Sequence, residues 1–131
     1  MTAQFYDPLQ LEIVNDNESR PNFVTLRDFR YYTDVLPGLI IVPQGTPTDG
    51  PSVPQMAMSM VGYRGMRAAV VHDYLVRHPE MMPREQADLI FREALGVCGV
   101  PDADVGLMYA AVSGYTAQLR KQAAGPDLYE G

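Results

Sequence analysis

Between Pro43 and Pro54 the chain reads Pro-Gln-Gly-Thr-Pro-Thr-Asp-Gly-Pro-Ser-Val-Pro, with four prolines and two glycines in twelve residues. No helix or central strand passes through such a segment, because each proline removes a backbone donor and fixes φ. The segment therefore divides the chain into two parts that must form regular structure separately. Apolar stretches flank it and no repeat runs through it. The composition predicts an ordered loop over 43–54, since proline restricts the unfolded chain and glycine opens special backbone angles.

Before the loop the pattern is that of strands. Leu9, Leu11 and Ile13 alternate with Gln10 and Glu12, the period of a half-buried strand. A polar cluster, Asn15 to Ser19, precedes Pro21 and reads as a turn. Phe23 to Leu26 and Phe29 to Val35 are rich in aromatic and β-branched residues, which favour strands. Pro37-Gly38 marks a turn before Leu39-Ile40-Ile41-Val42, a buried strand. Together these predict one small antiparallel β-sheet of about three to five strands over residues 5–43.

After the loop the period becomes helical. Residues 55–60 suit a short helical turn. Ala68, Ala69, Val70, Val71, Tyr74 and Leu75 put apolar side chains on most faces of a central helix over 66–78, ended by Pro79. Pro83 suits a first helical turn, and Ala87, Ile90, Phe91, Ala94 and Leu95 carry a second helix over 83–98, with Gly99 as its stop. Asp102 is expected to cap a third helix over 102–121, whose Val105, Met108, Val112, Tyr115 and Leu119 recur at helical steps. Residues 123–131 offer little to bury and read as an exposed tail. The expected architecture is α+β in a single domain, residues 1–131: a small N-terminal antiparallel β-sheet, a Pro/Gly-rich loop and three C-terminal α-helices.

Composition sets the class of partner. The chain has 131 residues, of which 47% are hydrophobic, enough for a core and too many for a disordered chain. Ten basic residues face sixteen acidic ones for a net charge of −6, a field that repels a phosphate backbone, so nucleic acid is not an expected partner. The single cysteine, Cys98, excludes an intrachain disulfide and a cysteine-based zinc knuckle. No apolar run approaches the roughly 18 residues of a membrane span. The first residues, Met1 to Asp7, lack the basic and apolar regions of a secretory signal. These features predict a soluble chain made in a cytoplasm.

Two ionisable residues, His72 and Asp73, fall inside the most apolar helix. Burying a charge without a partner is costly, so such residues are usually paired or functional. A short connection makes the next helix a neighbour and offers Asp88 to one ring nitrogen of His72. The other nitrogen is then free to take a proton from water. Arg84 lies one turn before Asp88 and can neutralise Asp73 or Asp88. Two readings follow: a buried polar network that fixes helix register, and a working site. His78, beside Pro79, reads as a solvent-exposed residue favoured by the helix dipole. In the loop, Asp49 either holds an Asx turn or joins Asp73 as a hard oxygen ligand to a divalent cation, calcium or zinc. Ser52 lacks the strand–elbow–helix setting of a hydrolase nucleophile and is at most a supporting residue. No HExxH, CxxC, GxxxxGK[ST] or GxGxxG pattern occurs. The eight methionines fill core gaps or, where exposed, mark a partner surface.

Three motifs stand in order: Val42-Pro43-x-Gly45-x-x-Thr48-Asp49-Gly50-x-Ser52-x-Pro54, Ala68-Ala69-x-x-His72-Asp73-Tyr74-Leu75, and Arg84-x-x-x-Asp88-x-x-Phe91. Over about residues 5–115 they resemble a family of tailed phages and prophages known as domain of unknown function thirteen-fifty-three. The resemblance implies a phage origin and a small α+β fold, encoded near tail or lysis genes, with no established activity. A local pattern is similar to phospholipase A2, in which a helical His-Asp pair faces an Asp from a neighbouring helix. It would make His72 the base, Asp73 a calcium ligand and Asp88 the residue that orients His72. The chain departs from that pattern at Val76, where tyrosine is expected, and lacks its disulfides and Gly-rich calcium loop. The expected function is a virion component of the tail, baseplate or tail–capsid junction, made in the host cytoplasm. The alternative is a phage hydrolase of a lipid ester or peptidoglycan amide, with His72 as general base. The implied partners are other virion proteins, a second copy of the chain, and host membrane or cell wall as substrate.

Overall fold

The computed structural model describes residues 2–15, 22–48 and 62–124. The expected loop beyond Thr48, the helical turn at 55–60 and the tail beyond Ala124 lie outside the described residues.

Among the described residues the N-terminal half holds six short strands: β1 (Gln4–Phe5), β2 (Leu11–Asn15), β3 (Asn22–Thr25), β4 (Phe29–Thr33), β5 (Gly38–Val42) and β6 (Pro47–Thr48). They form two antiparallel three-stranded sheets, β1-β4-β5 and β2-β3-β6, where one sheet was expected. The pairing explains the difference. Phe29 pairs with Val42 on β4 and β5, and the same register runs on to Phe23 with Thr48 on β3 and β6. Phe5 with Tyr31 runs on in the same way to Leu11 with Thr25. Three long strands are each broken once, at 6–10, 26–28 and 43–46, where the layer turns a corner.

Polar groups hold that corner. Asp7, 8% exposed, accepts hydrogen bonds from the Arg30 backbone N–H at 3.0 Å, Nε at 2.9 Å and Nη2 at 3.0 Å. The Arg30 guanidinium beside it holds the Asp7 carboxyl below its ordinary range. Thr25 Oγ1 donates to the Pro43 carbonyl at 2.8 Å and accepts from Thr46 N–H at 2.9 Å. Gly45 takes φ of 82° in the turn that Thr46 N–H closes on the Pro43 carbonyl, a backbone angle that glycine adopts without strain.

Along β4 and β5 the alternation is clear: Phe29, Tyr31, Ile40 and Val42 are buried, while Arg30, Leu39 and Ile41 are exposed. β2 departs from the expected buried face, since Ile13 is 55% exposed. The helices pack chiefly against β1, β4, β5 and β6, and the register of β2 on β3 shifts just past Ile13. That end of β2 is exposed, Val14 included.

A 3-10 turn, Gly62–Gly65, leads into α1 (Met66–Val76), followed by α2 (Arg84–Val97) and α3 (Asp102–Ala123). α1 stops short of the expected His78, because the residue before a proline is pushed out of the helical region. Pro101, in extended geometry, is the N-cap of α3, and its carbonyl accepts from Asp104 and Val105 N–H at 2.9 Å. Asp102 is thus not the cap but lies inside the first turn, where its charge complements the helix dipole. Gly99 ends α2 with φ of 83°. α2 lies between α1 and α3, and Tyr31 OH donates to Glu93 Oε1 at 2.7 Å to tie the sheet to α2. Burial and that carboxylate push the Tyr31 phenol well above its ordinary range.

Candidate functional site

Each helix contributes one polar residue to an otherwise apolar seam. Apolar neighbours at helical spacing bury α1 through Val71 and Leu75, α2 through Ile90 and Phe91, and α3 through Met108 and Val112. His72, Asp88 and Thr116 occupy the same inward faces, at 1%, 1% and 2% exposure. His72 Nε2 lies 2.7 Å from Asp88 Oδ1. Thr116 Oγ1 donates to Asp88 Oδ2, and Arg84 Nε donates to Thr116 Oγ1 at 3.2 Å.

The chemistry of these groups sets the direction of every proton in the chain. Arginine can only donate, so the Thr116 hydroxyl accepts from Arg84 and spends its one proton on Asp88. An ionised Asp88 only accepts, so His72 Nε2 carries its proton toward Oδ1. Donors therefore converge on Asp88 from both sides, and the three helices are joined through one carboxylate. The His72 ring also lies against Phe91, with centroids 4.8 Å apart. Among the described residues, His72 Nδ1 and Thr48 Oγ1 are buried without a hydrogen-bond partner.

The structure thus brings His72 and Asp88 together and places Arg84 beside them through the Thr116 hydroxyl, with its guanidinium 5.4 Å from the centre of the Tyr115 ring. Asp73, the next residue on α1, is turned about 100° from His72 around the helix. It is 1% exposed, and Arg77 Nε donates to its Oδ1 at 3.1 Å. That i, i+4 pair has the favourable acid-before-base order. Asp49 and Ser52 lie outside the described residues. Among the described residues no three His, Cys, Asp or Glu side chains gather as a metal-binding group, so a calcium or zinc site built on Asp73 would need Asp49 or another residue beyond them. His78 is half-buried, not solvent-exposed as expected, because Nδ1 donates to the Tyr74 carbonyl at 2.7 Å and the ring packs on Tyr74 at 4.3 Å.

Thr116 is the participant that sequence reasoning missed. Its signal was its position, four residues after Val112 on the buried stripe. The expected stripe used Tyr115 instead, which is 45% exposed. A cleft of about 350 Å³ opens at the sheet corner, lined by Asp7, Arg27, Asp28, Arg30 and Gln44, and none of the polar seam residues lines it. No described helix is long and apolar enough to cross a membrane.

No curated protein and no solved structure matches this chain. The profile of the family described as Protein of unknown function (DUF1353) matches residues 23–112, which hold nearly all of β3, β4 to β6, the Pro/Gly segment, His72, Asp88 and the first half of α3. That match spans well over half of the chain, and the protein belongs to this family.

Proposed function

We propose that this chain is a structural component of a tailed-phage virion, at the tail, baseplate or tail–capsid junction, in which the His72–Asp88 pair fastens helices. The observation that carries the reading is the sealing of the pair. Both residues are 1% exposed, with apolar side chains around them, whereas a general base must reach substrate or water. His72 Nε2 and both Asp88 carboxylate oxygens are spent on joining three helices. The phage setting rests on the three ordered motifs, and the net charge of −6 suits protein partners better than nucleic acid. Such a chain is made in the host cytoplasm and leaves in the particle. The test is quantitative mass spectrometry of purified particles from a phage that encodes it. The reading expects a fixed copy number per particle; absence from particles that are otherwise complete overturns it.

One observation favours a second reading, a hydrolase of the host envelope. His72 Nε2 is held by a carboxylate while Nδ1 has no described partner, the arrangement of an oriented base. In that case Asp88 orients the ring, and His72 Nδ1 takes a proton from water as the water oxygen bonds the carbonyl carbon of a lipid ester or peptidoglycan amide. The imidazolium returns that proton to the departing alcohol or amine as the C–O or C–N bond breaks. Purified protein with added calcium or zinc, assayed on phospholipid vesicles and on peptidoglycan, tests it. Cleavage lost in His72→Ala with the fold retained supports catalysis; no cleavage of either substrate removes it.

A further inference from the structure

α3 spans 22 residues, about 33 Å of helix, and buries Val105, Met108, Val112 and Thr116 on one side. Its opposite side is unusual for a solvated face. Ala103, Leu107, Ala110, Gly114, Ala117 and Lys121 follow one another in alternating steps of four and three, and all six are exposed, Leu107 by 57%. Alanine recurs at every seventh residue from Ala103 through Ala110 and Ala117 to Ala124. A seven-residue repeat is what keeps one helix facing another along its length, whereas a free surface helix needs no such period.

Two further features are independent of that repeat. Glycine is disfavoured in a helix interior, yet Gly106 and Gly114 both sit there. A Cβ at either would meet nothing within 4 Å, so no described contact of the chain calls for its absence. The ends carry opposite charge: Asp102 and Asp104 in the first turn, Arg120 and Lys121 in the last. These charges complement the helix's own dipole, and they also make the helix self-complementary when a copy is reversed.

We propose that α3 pairs through this face with α3 of a second copy of the chain, antiparallel, about a twofold axis at the level of Val112. That register sets Leu107 against Ala117 and Ala110 against Gly114, so a large residue meets a small one and the backbones approach where glycine allows it. The same register brings Asp104 beside Lys121 of the other copy, on the same flank of the contact. Size and charge are satisfied together, and each contact occurs twice by symmetry. A parallel pair would set the acidic turns side by side and the basic turns side by side, which like-charge repulsion opposes. Arg120 already donates to Glu85 Oε2 at 2.9 Å and Oε1 at 2.7 Å, which braces that end of α3 for the contact.

Sedimentation equilibrium of the full chain tests the pairing. The expected mass is twice 14.5 kDa, and Ala110→Glu and Ala117→Glu, both on the exposed face, should raise the dimer Kd at least about tenfold with the far-UV spectrum unchanged. Orientation is read by cross-linking in a Cys98→Ser background. Ala103→Cys protein mixed with Lys121→Cys protein should form a disulfide-linked heterodimer faster than either variant links to itself. A wild-type monomer at every concentration reached overturns the proposal. So does a dimer that survives both glutamate substitutions, or Ala103→Cys linking faster to itself than to Lys121→Cys.

Discussion

Removing the imidazole of His72 should unfold the helical half far more readily than an ordinary core substitution. His72→Leu keeps a similar volume and takes away both ring nitrogens. Asp88 Oδ1 then faces a seam in which Asp88 is 1% exposed, with no donor, while Thr116 still holds Oδ2. Breaking a buried pair by removing one partner costs about 3–5 kcal/mol, against a total stability of about 5–15 kcal/mol for a domain. For a chain of this size that is about 10–20 °C in Tm. Replacing both partners behaves differently. In His72→Leu/Asp88→Leu neither partner leaves an unpaired polar group behind, and the main loss is the acceptor for the Thr116 hydroxyl, about 1–3 kcal/mol. The double variant is therefore expected to be at least as stable as either single one, with a coupling of several kcal/mol between the sites. Urea unfolding followed by far-UV circular dichroism measures this, provided the m-value stays constant. A single substitution costing less than about 1 kcal/mol, or costs that simply add in the double variant, refutes the idea that the pair fastens the helices.

Thr116→Val should remove the relay between Arg84 and Asp88 and lower stability by about 1–3 kcal/mol; thermal melts should show Thr116→Ser close to wild type. The hydrogen bonds from Arg120 hold the Glu85 carboxyl down at about 2. A depressed folded-state pKa means that this contribution is present above the ordinary carboxylate range and fades as pH falls through it toward 2. The Tm difference between wild type and Glu85→Gln should therefore shrink between pH 5 and pH 2, and a difference independent of pH contradicts the pairing. Gly99→Ala forces a side chain into φ of 83° and should cost about 1–2 kcal/mol. Gly96→Ala, inside α2 with nothing within 4 Å of a new Cβ, should instead stabilise by about 0.5–1 kcal/mol; chemical unfolding distinguishes the two signs.

Local patterns in the chain were enough for the helices and for the pairing of His72 with Asp88. Ionisable residues in an apolar helix demand a partner, and the short link from Val76 to Arg84 leaves Asp88 within reach. What the pattern could not express was contact between distant residues. The corner that turns one sheet into two depends on Asp7 meeting Arg30 and on Thr25 meeting Pro43, pairs that no local periodicity connects. Thr116 escaped for a related reason. A threonine on an apolar stripe looks like an isosteric valine until an acceptor is known to face it. At α3 the side chain of Asp102 suggested the cap, but the extended angles of Pro101 put the start one residue earlier.

His72 is locked and sealed between helices, with its Nε2 proton directed at Asp88. The chain has only two histidines, so ring N–H resonances in nitrogen-correlated NMR can be assigned with His78→Gln as a reference. A His72 Nε2–H signal that persists in water and exchanges orders of magnitude more slowly than a free imidazole N–H is the predicted result. A His72 ring proton exchanging with solvent as fast as that of a free imidazole would contradict the claim and return His72 to the list of accessible bases.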